Sequence, residues 1–509
     1  MNSKFGAIPL VSRRLLLSAA GALLTATMLA APTPVLAEAR DSVTIGVRED
    51  IPGLDPTIRQ GAIIGLVTLG NIFEGLTRFN EDGSLSPGLA KSWEISPDGK
   101  TYTFKLVEGV KFSDGSGFDA ADVKWTFERN GGADSTNPEK AYFALMEKIE
   151  TPDENTVVLH LSEPNSLLLQ KLAWGVSAIV AQETAAENAA NPVGTGPFKL
   201  KAWDRGAAVT LTRNDLYREP ARVKLNTVVF KLVEDPSAQV AAVQAGDVDF
   251  FPLFSSPESL EQFKSNPDLV VMEGASEAEV LLGINNRRKP LDNVLVRRAL
   301  AKAIDRQAVV DGAEYGYGKP IGSHFSTNHP AYIDTTDVNA FDPEGAKALL
   351  AEAGYPEGFE ITIKVPPQGP FVRSAEIVAA YFEQVGVKLN IEKLQWPQWL
   401  EQVFRNHSFD LSIVDHDAPM DFDVHANKDY FYGYDSQNYR DALTAVKAAT
   451  TPDAETQSLQ AIQKLFAEEI PVIPLYQTRN ISVARKGLAG LWKNMPVFMA
   501  NMTDVHWEN

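Results

Sequence analysis

The 509-residue chain has no cysteine. That excludes disulfides, thiolate nucleophiles, cysteine-bound metal centres and a lipid anchor carried on a cysteine. Basic residues are in deficit: 47 Lys and Arg stand against 66 Asp and Glu, a formal net charge of −19. A surface of that sign repels nucleic acid and anionic lipid, so neither is expected as a partner. Beyond the N-terminal leader, no apolar run is long enough to cross a bilayer. The chain also lacks a G-x-S-x-G, an H-E-x-x-H and a Walker A sequence, so it is not expected to be an enzyme. A secreted hydrolase would need a reactive triad that the sequence does not display. No cofactor is expected.

What is present starts with the first 37 residues. Arg13-Arg14 follows Ser12, an apolar run extends from Leu15 to Ala31, and Pro32, Pro34 and Val35-Leu36-Ala37 close the segment. A charged start, an apolar middle and a small-residue cleavage site are the three parts of an export signal. Ser12-Arg13-Arg14-Leu15-Leu16-Leu17 resembles a twin-arginine signal, which implies export in the folded state. The leader holds Lys4, Arg13 and Arg14 and no acid, so its removal leaves the mature chain still more acidic. A soluble, periplasmic protein beginning near Glu38 is expected. It is too long for one ordinary domain, and without disulfides its stability must come from core burial.

Strand-like and helix-like segments then alternate almost throughout. Val43 to Val47 alternates as a strand, and Gly65 to Leu76 reads as a helix with Leu66, Leu69, Ile72, Phe73 and Leu76 on one stripe. Tyr102, Phe104 and Leu106 mark a half-buried strand, and Asp119 is placed to cap a helix carrying Val123 and Phe127. Strand Val228 to Val233, helix Pro236 to Ala245 and strand Val248 to Phe251 follow. Strand Val280 to Ile284, helix Asn293 to Ile304 and helix Pro343 to Glu352 come next. Ile361 to Val365, Arg373 to Gln384, Lys388 to Lys393, Trp396 to Asn406 and Phe409 to Val414 read as β-α-β-α-β. Such alternation predicts an α/β fold with helix-covered sheets, whose ligands gather beyond the carboxyl ends of strands.

The stretch Leu89 to Trp125, LAKSWEISPDGKTYTFKLVEGVKFSDGSGFDAADVKW, resembles the signature region of the family-5 extracytoplasmic solute-binding proteins of ABC importers. Further landmarks occur in the family's order: Phe73-Glu74-Gly75-Leu76, Gly194-Thr195-Gly196-Pro197-Phe198, Gln244-Ala245-Gly246-Asp247-Val248-Asp249, Asn285-Asn286, Val296-Arg297-Arg298-Ala299-Leu300, Ala303-Ile304-Asp305-Arg306 and Ile470-Pro471-Val472-Ile473-Pro474-Leu475-Tyr476. Most of these read as scaffold, with Gly194 and Gly196 expected to lend backbone freedom to a crossing between lobes. The resemblance implies a two-lobed, type II periplasmic-binding-protein-like fold with an extra subdomain. Its first lobe would comprise 38–80, 191–283 and 476–509, the extra subdomain 81–190 and the second lobe 284–475. It also implies capture of a short peptide or peptide-like solute by lobe closure, delivery to an inner-membrane ABC permease, and a monomer. A metal chelate, a sugar or an opine-like conjugate is the alternative ligand.

The leading site segment is Asp415-His416-Asp417-Ala418-Pro419-Met420-Asp421-Phe422-Asp423-Val424-His425, directly after a strand. In the peptide-binding relatives an acid in the matching loop pairs with the ligand's α-ammonium group. Asp417 is the expected carrier of that role, with Asp415, Asp421 or Asp423 as substitutes and His416 alongside. The segment departs from the glycine-rich loop of the dipeptide-binding relatives. Four acids and two histidines could also suit a divalent ion, but the spacing fits neither the calcium loop nor a zinc pattern, and no metal is expected. Trp396 and Trp399, three apart on a helix, share a face and either stack on a ligand or pack in the core. Phe325 lies beyond the glycine-punctuated loop 315–320 that could border the cleft. Tyr476 is placed to offer a hydroxyl either to the ligand or to backbone.

Overall fold

The computed structural model describes residues 40–59, 61–417 and 420–508. The export leader and the Ala418-Pro419 step of the site segment lie outside the described residues. The fold is mixed α/β, as the alternation implied.

Two long strands organise the molecule. Leu269–Ile284 and Ile473–Arg485 run antiparallel along their length, from Leu269 opposite Arg485 to Leu282 opposite Ile473. On one side of this ribbon the sheet continues through Leu411–His416, Phe359–Val365 and Val387–Lys393. On the other it continues through Phe250–Phe251, Ser42–Val47, Thr227–Leu232, Ala208–Arg213 and Phe198–Asp204. The ladder shifts register between Ala275 and Glu279. Residues left out of a ladder bend the strand that carries them, so the ribbon is kinked where it passes from one half to the other. One core, with Leu282, Ile284, Leu300, Ile363 and Phe382, lies on the first side. A second, with Ile45, Ile72, Phe73, Phe198 and Phe230, lies on the other.

The elements form where local chemistry favours them. Asp119 accepts from the Ala121 amide and Asp122 reaches back to the Asp119 amide, a capping box that starts helix Ala120–Gly131. Asp235 and Pro236 open helix Pro236–Ala245, and Gly246 closes it at φ +83°. Helix Pro343–Glu352 coincides with the segment read from sequence. Helix Ala62–Thr68, in contrast, stops eight residues before Leu76. Gly70 turns there at φ +71°, and the Thr68 carbonyl accepts from the amides of Asn71, Ile72 and Phe73. The apolar stripe is buried as expected, but its second half is a coil rather than a helix.

Residues 90–161 build a separate antiparallel sheet in the order Ala90–Ile95, Thr101–Leu106, Thr156–Leu161 and Met146–Asp153. Phe104, Phe112, Val123 and Phe127 fill its core. The loop that leaves this sheet reaches the opposite half. The Ser166 amide donates to the Lys447 carbonyl at 3.0 Å, the Ser166 hydroxyl to that of Val446 at 2.9 Å, and Leu167 joins an aromatic core with Phe422 and Tyr439.

Most of the sequence landmarks are fasteners. Buried Glu74 takes a two-pronged ion pair from Arg218 (2.6 and 2.8 Å) and a hydrogen bond from Thr195 (2.9 Å), which joins two of the landmarks. Asn285 donates to the carbonyls of His407 and Phe409. Arg297 donates to the carbonyls of Glu469 and Ile470, and Arg306 to that of Pro474. Gly194 and Gly196 do not supply the conformational freedom expected of them, since neither has a left-handed backbone. They allow close approach instead: a Cβ at Gly194 would lie 2.0 Å from the Ile72 carbonyl oxygen, and one at Gly196 2.4 Å from that of Asn71. Gly194→Ala is therefore expected to destabilise the protein by about 1–3 kcal/mol, read as a lower urea midpoint at unchanged slope.

Candidate functional site

Strand Leu411–His416 pairs antiparallel with the ribbon, with Leu411 opposite Ile284, Asp415 opposite Val280 and His416 opposite Glu279. Its first four residues are buried among apolar neighbours. Asp415 is the first exposed one, and Asp417 beyond the strand end is exposed too. Both acids are nonetheless pushed above the usual carboxylate range by desolvation, Asp417 to about 6 with repulsion from Asp415 and Asp421 added. Both acids thus reach solvent while protein crowds around them. Asp415 feels Arg48 and Glu49 from the far half, which follow strand Ser42–Val47 and line a recess with Ile63, Leu66 and Leu253. Asp423 is likewise raised by desolvation and is drawn by Lys171 of the small-sheet half and by Lys447. Among the described residues neither Asp415 nor Asp417 has an ion-pair partner.

The other candidates divide between wall and interior. Trp396 is 44% exposed and stacks on buried Trp399, centroids 5.0 Å apart and planes 5° from parallel. Trp399 donates its indole N–H to the Ser412 hydroxyl at 2.9 Å, so it is fixed to the site strand, and Trp396 is the member of the pair that faces outward. The expected helix Trp396 to Asn406 is a single α-turn, Trp396–Trp399, followed by a wider π-type turn over Leu400–Arg405.

His416 and Asp421 face the interior. The His416 Nδ1 lies 2.8 Å from one Asp421 oxygen, and its Nε2 lies 2.8 Å from the Tyr432 hydroxyl. The other Asp421 oxygen lies 2.8 Å from His324 Nε2. Although desolvation opposes it, attraction to both histidines holds the Asp421 carboxyl far below its ordinary range. Phe325 is buried against His329 and Phe422. Tyr476 is fully buried; it donates to Glu314 at 3.1 Å and lies 3.2 Å from the Ser374 hydroxyl, so protein groups occupy its hydroxyl.

Several residues of this region went unread in the sequence. Glu277 and Glu279 lie at the ribbon's register shift. Glu277, which accepts from Ser326 and Asn328, is raised to about 8 by burial. The signal was available: Ala275-Ser276-Glu277-Ala278-Glu279 puts two acids two residues apart beside the apolar run Val280 to Ile284. Arg48, Glu49 and Lys171 had no local signal, because only the tertiary fold brings them to the acids.

Residues 84–440 match the family of bacterial extracellular solute-binding proteins, family 5. Di/tripeptide-binding protein 1 of Pseudomonas aeruginosa is 28% identical over 82% of this chain and 85% of its own. The glutathione-binding protein GsiB of Escherichia coli K12 is 28% identical over 89% of this chain and 92% of its own. Among solved structures, the binding protein AgaA of A. tumefaciens R10 in complex with agropinic acid is 27% identical, with a TM-score of 0.77 over 92% of this chain and 99% of that one. The chain belongs to the family-5 bacterial extracellular solute-binding proteins, the binding components of ABC importers, and its role is to capture solute rather than to catalyse. No helix among the described residues is long and apolar enough to cross a membrane.

Glu314 gives a pH test of the buried layer beneath the cleft. Desolvation raises it to about 7, Asp415 adds to the rise, and the Tyr476 hydroxyl and Arg373 oppose it. A carboxyl with a raised folded pKa binds its proton more tightly in the folded state. Stability is then highest at low pH for this group and falls between about pH 4.5 and 7. Glu314→Gln is expected to remove roughly 2–3 kcal/mol of that pH dependence, measured by urea unfolding at pH 5 and pH 8.

Proposed function

We propose that the protein captures a short peptide or peptide-like solute by its free amino terminus, outside the cytoplasm, and delivers it to an ABC permease. The observation that carries this reading is Asp417, an exposed acid raised by desolvation that makes no ion pair among the described residues, its neighbour His416 being engaged by Asp421. A ligand ammonium placed there replaces lost hydration with a charge-assisted hydrogen bond and relieves the repulsion from Asp415. Trp396 supplies an aromatic face for a peptide plane or side chain without demanding a sequence, and bridging water tolerates the rest. Support also comes from relatives named for di- and tripeptides and for glutathione.

In this reading the lobes are 38–80 with 191–283 and 476–509, the extra subdomain 81–190, and the opposing lobe 284–475. Closure brings Arg48 and Glu49 toward Asp415, because a ligand touching both halves binds the closed state better than the open one. The protein acts as a monomer in the periplasm after export through its N-terminal signal. A non-peptide solute is the second reading, favoured by the relative solved with agropinic acid. An acid that needs a fixed cation separates the two. Titration calorimetry of Asp417→Asn with a bound di- or tripeptide is expected to show a loss of about 2–5 kcal/mol, or roughly 30-fold and upward in affinity. An N-acetylated form of the same peptide should fail to bind the unmodified protein. Equal affinity for the free and the acetylated peptide overturns the peptide role of Asp417.

A further inference from the structure

The polar knot behind the cleft carries more than loop support. His324 Nε2 and His416 Nδ1 each lie 2.8 Å from a different oxygen of Asp421, and one donor atom from each of the three residues lies within 4.8 Å of the other two. All three side chains are largely shielded from solvent. Glu279, on the ribbon at the register shift, is 4% exposed. Its Oε2 has no hydrogen-bond partner among the described residues and lies 3.9 Å from His324 Nε2. A hydrogen-bonded knot alone satisfies Asp421 and both histidines and leaves that fourth oxygen stranded, at a cost that buried polar atoms rarely bear.

We propose that His324, His416, Asp421 and Glu279 form a binding site for a divalent transition cation of the zinc class, separate from the solute cleft. Two imidazole nitrogens and two carboxylate oxygens are a donor set that zinc accepts. Tetrahedral donors around zinc stand about 3.4 Å apart. With one Asp421 oxygen as ligand, its 2.8 Å histidine contact needs to open by about half an ångström, the 3.9 Å approach of Glu279 to close by as much, and the wider spacings of the set, up to 4.8 Å, to draw in around the ion.

The outer layer fits too. His324 Nδ1 meets His425 Nε2 at 2.8 Å, and His416 Nε2 meets the Tyr432 hydroxyl at 2.8 Å. Metal-binding histidines are oriented by just such a partner on the second nitrogen. Two carboxylates offset the charge of the ion, which lets it occupy a buried position. The four ligands come from three segments: the ribbon, the loop after Gly318–Pro320 and the site segment. The ion braces the segment that bears Asp417 against the ribbon, so the inference stands apart from the identity of the solute.

The test uses the mature protein, stripped with EDTA and titrated with zinc chloride by calorimetry, with elemental analysis and thermal melting alongside. One ion per chain and a raised melting temperature are expected. Glu279→Gln and His324→Gln should each weaken zinc binding by roughly 100-fold or more, and Tyr432→Phe by about 10–100-fold. Asp417→Asn removes a neighbouring charge but none of the four ligands, so one ion per chain should still bind. No stoichiometric uptake by the unmodified protein overturns the site. So does uptake that survives Glu279→Gln and His324→Gln, or uptake lost in Asp417→Asn, which puts the ion in the cleft. Should a variant not fold, X-ray absorption of the zinc-loaded unmodified protein decides: two imidazole ligands support the site, and a shell without imidazole overturns it.

Discussion

The pairing of Leu269–Ile284 with Ile473–Arg485 is the constraint on which the rest of the molecule depends. Each strand belongs to both halves, so neither half can complete its sheet without the other. The flanking strands add outward from this shared ribbon, and both large cores draw residues from its two members. Backbone pairing holds the ribbon along its length except around 276–281, where the register shifts twice, between Ala275 and Glu279 and between Val280 and Leu281. Stiff strands with a short irregular stretch suit the joint that the proposed lobe closure requires.

The acids around this joint follow one logic. Glu277, Glu314 and Asp417 are all raised, and desolvation is the leading cause in each case. Asp421 goes the other way because two histidines face it, and attraction outweighs the same desolvation. The charge of the partner, more than depth or partner count, therefore sets the direction: Glu277 has two neutral donors and is raised, and Asp421 has two histidines and is lowered. Raised and lowered acids occur within five residues of each other along the chain, which is why composition alone could not sort Asp417 from Asp421.

Sequence patterns made much of the fold legible, and the reasons are local. Helix Pro236–Ala245 announces itself through Asp235, Pro236 and Gly246, and helix Ala120–Gly131 through Asp119 and Asp122. The strand pairs between 359 and 416 alternate with a helix of clear periodicity. Long-range structure was not legible in the same way. Leu269 to Glu279 does not look like a strand, because it mixes Glu273, Gly274, Ser276 and Glu277 into its run, and it forms one only because Ile473–Arg485 lies beside it. The stripe ending at Leu76 predicted burial correctly and secondary structure wrongly, since an apolar period persists through the turn that Gly70 imposes. In the site, the segment was found by its position after a strand. The interior direction of His416 and Asp421 could not be, because it depends on His324 and Tyr432 from elsewhere in the chain.

The register of the site strand has a mechanical meaning. Asp415 and His416 sit opposite Val280 and Glu279, the first rungs beyond the kink. In the proposed closure, a load applied at these acids would act close to the fulcrum, on a short input arm, and the rims of the two lobes would move on long output arms. Under the lobe closure proposed above, gearing of that kind would turn a small displacement at one carboxylate into a wide swing at the outer faces, the surfaces offered to the proposed permease. Such a machine needs no relay of side chains through its interior to report that it is loaded.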